Sequence, residues 1–137
     1  ADAQPQWQKK HLTVRNELPS DVFVLADKDK LSQVFSNLVD NAVKFNRDNG
    51  ILSIFCQDMP SQVKVCVEDT GIGIPEKDIP RIFERFYRVD KARSRQLGGT
   101  GLGLSIVKHI IEKHQGKVGV ESTEGSGSRF WFILSKA

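Results

Sequence analysis

DKDKLSQVFSNLVDNAVKF, residues 27–45, is the stretch whose reading decides the fold. Leu31, Val34, Phe35, Leu38, Val39, Ala42 and Val43 recur at three- and four-residue spacing, which predicts an amphipathic helix with one apolar face. Asp27 is suited to cap its N-terminus, Asp29 suits the positive end of the helix dipole, and NRDNG at 46–50 ends it in a turn. Along the border of the apolar face Asn37, Asn41 and Lys44 fall at i, i+4 and i+7 and so form one polar stripe. Two amide oxygens can ligate a hard cation and an ammonium can meet a phosphate. A solvated helix face would show the same pattern, so the stripe gains meaning only from what accompanies it.

Working outward, residues 51–57 and 63–69 read as neighbouring strands joined by 58–62. The second alternates strictly, with Val63, Val65 and Val67 facing one way and Lys64, Cys66 and Glu68 the other. Upstream, 11–18 and the short apolar run 22–25 are candidate strands. Downstream come one or two helical turns at 75–87, an aperiodic basic loop at 88–99, a second long helix at 101–114 and a hairpin pairing 117–121 with 128–135. The order β-β-α-β-β-turn-loop-α-β-β predicts an α/β two-layer sandwich: a mixed sheet with helices on one face. Residues 1–10 read as a linker or loose end and 11–137 as one domain.

The composition is consistent with this. A chain of 137 residues, 39% hydrophobic and 27% charged, buries a core of its own and is not disordered. A net charge of +3, dispersed along the chain, gives no reason to expect a nucleic-acid partner. Cys56 and Cys66 sit in apolar stretches and are expected as buried reduced thiols. No apolar run approaches the ~20 residues of a membrane span.

Three further motifs carry chemistry. In DTGIGIP, residues 69–75, the Asp69 carboxylate at a strand end can accept a hydrogen bond from an exocyclic amine. Gly71 and Gly73 let backbone come close to a flat ring, and Ile72 or Ile74 can wall it. GGTGLGL, residues 98–104, opens a helix whose free N–H groups favour a phosphate. It matches neither the dinucleotide-binding fingerprint nor a P-loop. The loop before it carries Arg85, Arg88, Lys91, Arg93 and Arg95; hinged at Gly98 and Gly99 it can close over a polyphosphate, though a solvated surface loop would account for most of those charges equally well. Phe83, Phe86 and Tyr87 in IFERFY are expected to pin its near end to the core.

Taken in order, these motifs resemble the ATP-binding catalytic domain of sensor histidine kinases. Residues 37–45 (NLVDNAVKF) are similar to that family's N box, 69–73 to its first glycine box, 83–86 to its F box, 99–103 to its second glycine box and 124–128 (EGSGS) to its closing glycine turn. The resemblance implies the Bergerat fold, with a mostly antiparallel mixed sheet and a mobile ATP lid. It implies ATP and Mg2+ as ligands: Asn41, assisted by Asn37, on the metal; Lys44 on the phosphates; Asp69 on the adenine amine; and Phe45 along the base or ribose. Gly71, Gly73, Ile74, Arg88, Gly99, Thr100, Gly101, Leu102 and Gly103 complete the implied ATP site, Arg88 reaching the γ-phosphate from the lid.

The family's reaction moves the ATP γ-phosphoryl group to a histidine on a separate dimerisation domain, with a response regulator downstream. Transfer of this kind needs positioning and charge neutralisation more than covalent help. Related ATPases of the superfamily carry a water-activating glutamate where this chain has Asn37, so the resemblance favours phosphotransfer over hydrolysis. None of His11, His109 and His114 lies in a His-Glu-x-x-x-Pro acceptor pattern. The chain therefore reads as the ATP-holding part of a larger sensor, placed on the cytoplasmic side, with any membrane contact made by other parts of the parent. A serine kinase of the anti-sigma type and a degenerate partner-docking module are the alternative readings.

Overall fold

In the computed structural model the described residues are 10–85, 87 and 103–137. Helix α1 spans Lys28–Lys44, where the apolar spacing put it, and the Asp27 side chain accepts a hydrogen bond from the Lys30 N–H at its start. Its buried face consists of Val34, Leu38, Ala42 and Val43. Helix α2, Gly103–Lys113, buries Val107, Ile110 and Ile111. A 3-10 helix covers Glu76–Arg81.

Five strands form one sheet: β1 Thr13–Asn16, β2 Ile51–Asp58, β3 Gln62–Asp69, β4 Lys117–Thr123 and β5 Gly127–Ser135, in the order β1-β2-β3-β5-β4. Among the described residues only β1 pairs in parallel, with β2; the other three pairings are antiparallel. Val63, Val65 and Val67 of β3, Phe130, Phe132 and Leu134 of β5, and Leu52 of β2 meet the two helices in one core. Phe35 of α1 stands edge-on to Phe132 at 5.6 Å between ring centroids. Each fully buried side chain of this kind contributes about 1.5–3 kcal/mol. The two-layer sandwich, the mixed sheet and the hairpin are as expected.

Two local expectations fail. Residues 22–25 do not form a strand; Val24 makes one isolated bridge to Lys136, while Phe23 and Leu25 stay exposed. Backbone bonds from the Leu25 N–H to Ser135 O and from the Ala137 N–H to Phe23 O tie the run to the end of β5, but with Phe23 and Leu25 exposed it buries no apolar face that would hold a longer pairing. The thiols also differ: Cys66 is buried but Cys56 is half-buried. Cys66 lies on the sheet face away from the core valines, yet it is fully enclosed because its cross-strand neighbours are Phe55 and Trp131. Lys64 covers the Trp131 ring and Arg129 the Phe55 ring, which roofs that face with amphipathic side chains. Burial raises the Cys66 thiol above its ordinary pKa. Among the described residues, no helix is long and apolar enough to cross a membrane.

Candidate nucleotide-binding site

Strand β3 delivers Asp69 to the core side of the sheet, in phase with Val63, Val65 and Val67. The carboxylate is 5% exposed. Burial raises its pKa to about 6; the backbone N–H groups of Gly71 and Ser128, which bond to it, pull in the other direction, and nearby Glu68 adds a smaller upward push. The Gly71 N–H donates to Asp69 Oδ1 at 2.8 Å. The result is a fixed, desolvated acceptor whose charge changes close to neutral pH.

The loop after Asp69 rests on the end of α1. The Ile72 N–H donates to the Phe45 carbonyl at 3.1 Å. A Cβ on Gly71 would lie 2.1 Å from that same oxygen, and one on Gly73, where φ is +70°, would lie 2.2 Å from the Thr123 carbonyl. Both glycines are thus demanded by packing within the protein, a reason separate from close approach to a ring. Ile74 is buried in the core, with its N–H on Ser122 Oγ at 2.8 Å, so it forms the floor of this region. Ile72 is the isoleucine of the pair that keeps more exposed surface.

Helix α1 supplies the second side. Phe45 caps it, its N–H bonding the Asn41 carbonyl at 3.1 Å, so Asn41 is one turn from the carbonyl that holds the Asp69 loop. Asn37 donates its amide to the Gly103 carbonyl at 3.3 Å and so joins α1 to the first turn of α2. Lys44 pairs with Asp40 at 3.0 Å, a partner that is itself 62% exposed. Pairs this open contribute a few tenths of a kcal/mol and exchange readily for a stronger anion. A Cβ on Gly103 would meet nothing within 4 Å among the described residues. Asn37, Asn41, Lys44 and Phe45 therefore share one helix whose C-terminal end touches the Asp69 loop. Arg88, Gly99, Thr100, Gly101 and Leu102 lie outside the described residues.

The segment leading to residue 88 is anchored as expected. Phe83 packs edge-on against Phe130 at 6.0 Å, and the Tyr87 hydroxyl donates to the buried carboxylate of Asp78. That bond holds the Tyr87 phenol above its ordinary pKa. Phe86 lies outside the described residues.

Sequence reasoning missed the groups that fix the loop. Asn46 is 4% exposed; its amide donates to the Ile51 carbonyl at 3.1 Å, while its oxygen accepts from the Arg47 N–H at 2.9 Å and the Thr70 hydroxyl at 3.1 Å. The Thr70 hydroxyl in turn accepts from the Ile51 N–H at 2.9 Å. Behind them Ser122 Oγ is shared by Ile74, Gly127 and Ser128. A threonine following the strand-end aspartate is the one local signal that pointed this way.

Comparison with known proteins agrees with this geometry. Residues 26–137 match the family described as histidine kinase-, DNA gyrase B- and HSP90-like ATPase. The sensor histidine kinase WalK of Bacillus subtilis (strain 168) is 44% identical over 123 residues, which are 88% of this chain but 20% of that protein, so the chain spans about a fifth of the relative's length. The catalytic domain of histidine kinase ThkA superposes with a TM-score of 0.81 at 35% identity, covering 96% of this chain and 84% of that one. ThkA in complex with the response regulator TrrA gives 0.76 at 32% identity over 96% of this chain and 36% of that one. Full-length ShkA in complex with AMPPNP gives 0.82 at 32% identity over 97% and 27%. The chain belongs to the histidine kinase-, DNA gyrase B- and HSP90-like ATPase family, and within it to the ATP-binding catalytic domains of sensor histidine kinases.

Proposed function

We propose that this domain holds Mg-ATP between α1 and the loop after β3 and presents the γ-phosphoryl group to a histidine on a separate dimerisation domain of the same parent protein. The observation that carries the reading is the buried Asp69 carboxylate, oriented by Gly71 and Ser128 and placed next to the end of α1. In its ionised form it accepts a hydrogen bond from the adenine amine, and a guanine oxygen at that position would be repelled. Lys44 leaves its weak pairing with Asp40 to meet the polyphosphate.

The donor set suits magnesium. Amide oxygens of Asn41 and Asn37 are hard, neutral ligands, and among the described residues no cluster of three His, Cys, Asp or Glu could build an all-protein cage. Magnesium commonly takes few protein ligands and completes its shell with phosphates and water. When bound it supplies charge neutralisation on the phosphates. Asn37 has no basic carboxylate and gives its amide to Gly103, so it is not equipped to activate water; this supports transfer over hydrolysis.

The printed names of relatives, a sensor histidine kinase and a histidine kinase in complex with a response regulator, support a parent that is a sensor with a response regulator as partner; the proposal adds that the regulator accepts the phosphoryl group next and that this domain lies on the cytoplasmic side. The test is incubation with γ-labelled ATP, with and without a histidine-bearing dimerisation domain. Label should reach only the added domain, in an acid-labile, alkali-stable linkage. Stable label on the isolated chain, or an acid-stable phosphoserine on the partner, contradicts the proposal.

A further inference from the structure

We infer that Arg47 is a positioning residue for base recognition: it clasps the loop that carries the base-reading carboxylate to the β4–β5 turn and so sets the loop's place relative to α1. Its side chain makes three bonds to backbone carbonyls on two segments distant in sequence. Nε donates to Thr70 O at 2.6 Å, and Nη2 donates to Gly71 O at 3.0 Å and to Gly125 O at 2.6 Å.

These bonds complete the satisfaction of the loop's backbone. The N–H groups of Thr70, Gly71 and Ile72 go to Ile51 O, Asp69 Oδ1 and Phe45 O. The Ile72 carbonyl accepts from the Gly125 N–H at 2.7 Å. That leaves the carbonyls of Thr70 and Gly71, and Arg47 takes both with one planar fork. The same Nη2 fixes Gly125, whose own N–H already holds Ile72, so loop and turn are tied twice. Arg47 lies just past the C-terminal end of α1, where a cation is favoured by the helix dipole. Lys10 adds a second cation there, its ammonium bonding the carbonyls of Val43, Lys44 and Asn46.

Arg47 acts through geometry, by holding the loop so that the Gly71 N–H stays against Asp69. The inference rests on the proposed ATP site, and the experiment separates the two. Arg47→Met keeps the stem and removes the donors; Arg47→Lys keeps the charge but has one nitrogen for three carbonyls. Titrations of the chain use ATP, ITP and inorganic tripolyphosphate, each with magnesium, and thermal melting without ligand checks the fold.

Arg47→Met is expected to weaken ATP by about fivefold to tenfold, to narrow the preference for ATP over ITP and to leave tripolyphosphate unchanged, with Arg47→Lys in between. An unchanged ATP-to-ITP ratio, or equal weakening of ATP and tripolyphosphate, overturns the role of Arg47. Failure of the unaltered chain to bind ATP overturns the site itself.

Discussion

The loop after β3 and the polar stripe of α1 meet at Phe45, yet they are held in very different ways. In the loop, each backbone N–H and C=O from Thr70 to Ile72 has a partner within the protein, and Asp69 is 5% exposed. On the stripe, Lys44 has a solvent-exposed partner in Asp40, and a Cβ on Gly103, opposite Asn37, would meet nothing within 4 Å among the described residues. On the proposed reading, the difference teaches that recognition of a flat, rigid base is built in advance. On the same proposal, a flexible polyphosphate would be met by side chains free to exchange partners. Preorganisation lowers the entropy lost on binding where the ligand itself is rigid.

The largest effect should come from crowding the fixed side. Gly71→Ala places a Cβ against the Phe45 carbonyl and is expected to lower stability by about 3 kcal/mol, read by chemical denaturation. Gly103→Ala, on the open side, should leave stability the same or raise it by about 0.5 kcal/mol.

Next is Asp69→Asn. The folded-state pKa of Asp69 is raised to about 6 from the ordinary 3.8, so its contribution to stability is fully present below the ordinary value and is lost as pH rises through about 6. At pH 7 a neutral isostere should therefore stabilise the ligand-free domain by about 2 kcal/mol, with the gain shrinking as pH falls toward 4. The same substitution should abolish the preference for ATP over ITP. In the unaltered protein, ATP affinity should fall about tenfold between pH 7 and pH 5 while tripolyphosphate affinity does not follow that curve. A melting temperature lowered at pH 7 by Asp69→Asn contradicts this account of the buried carboxylate.

A smaller effect is expected for Thr70→Val. It removes a hydroxyl that bridges Ile51 and the buried Asn46, and should reduce stability by about 1 kcal/mol. Smallest is Lys44→Ala, whose stability change should stay within about 0.5 kcal/mol. It should nonetheless weaken ATP while leaving AMP affinity unaltered, and calorimetry with both nucleotides sharpens the contrast between the two sides.

The sequence carried the scaffold more fully than the site's supports. Helix α1 was legible because seven apolar residues and an N-cap agree on one period. The core face of β3 was legible from Val63, Val65 and Val67. Residues 22–25 were not, since four apolar residues have no period to distinguish a strand from a single bridge. Cys66 was read as buried, but Phe55 and Trp131, which enclose it, become its neighbours only through strand register. At the site, Asp69 and its glycines stood out, but the need for Gly71 arises from a carbonyl 26 positions earlier. Arg47 and Asn46 bond Thr70 across 23 and 24 positions, and no local pattern encodes a hydrogen bond over that distance.

The central claim is that one nucleotide bridges the fixed loop and the adaptable helix. A 1H–15N NMR titration with Mg-ATP, following the Gly71 backbone amide and the Asn41 side-chain amide together, tests it most directly. Both signals should shift along one saturation curve with a single dissociation constant. A response confined to one of them, or two different constants, would show that the loop and the helix do not serve the same ligand.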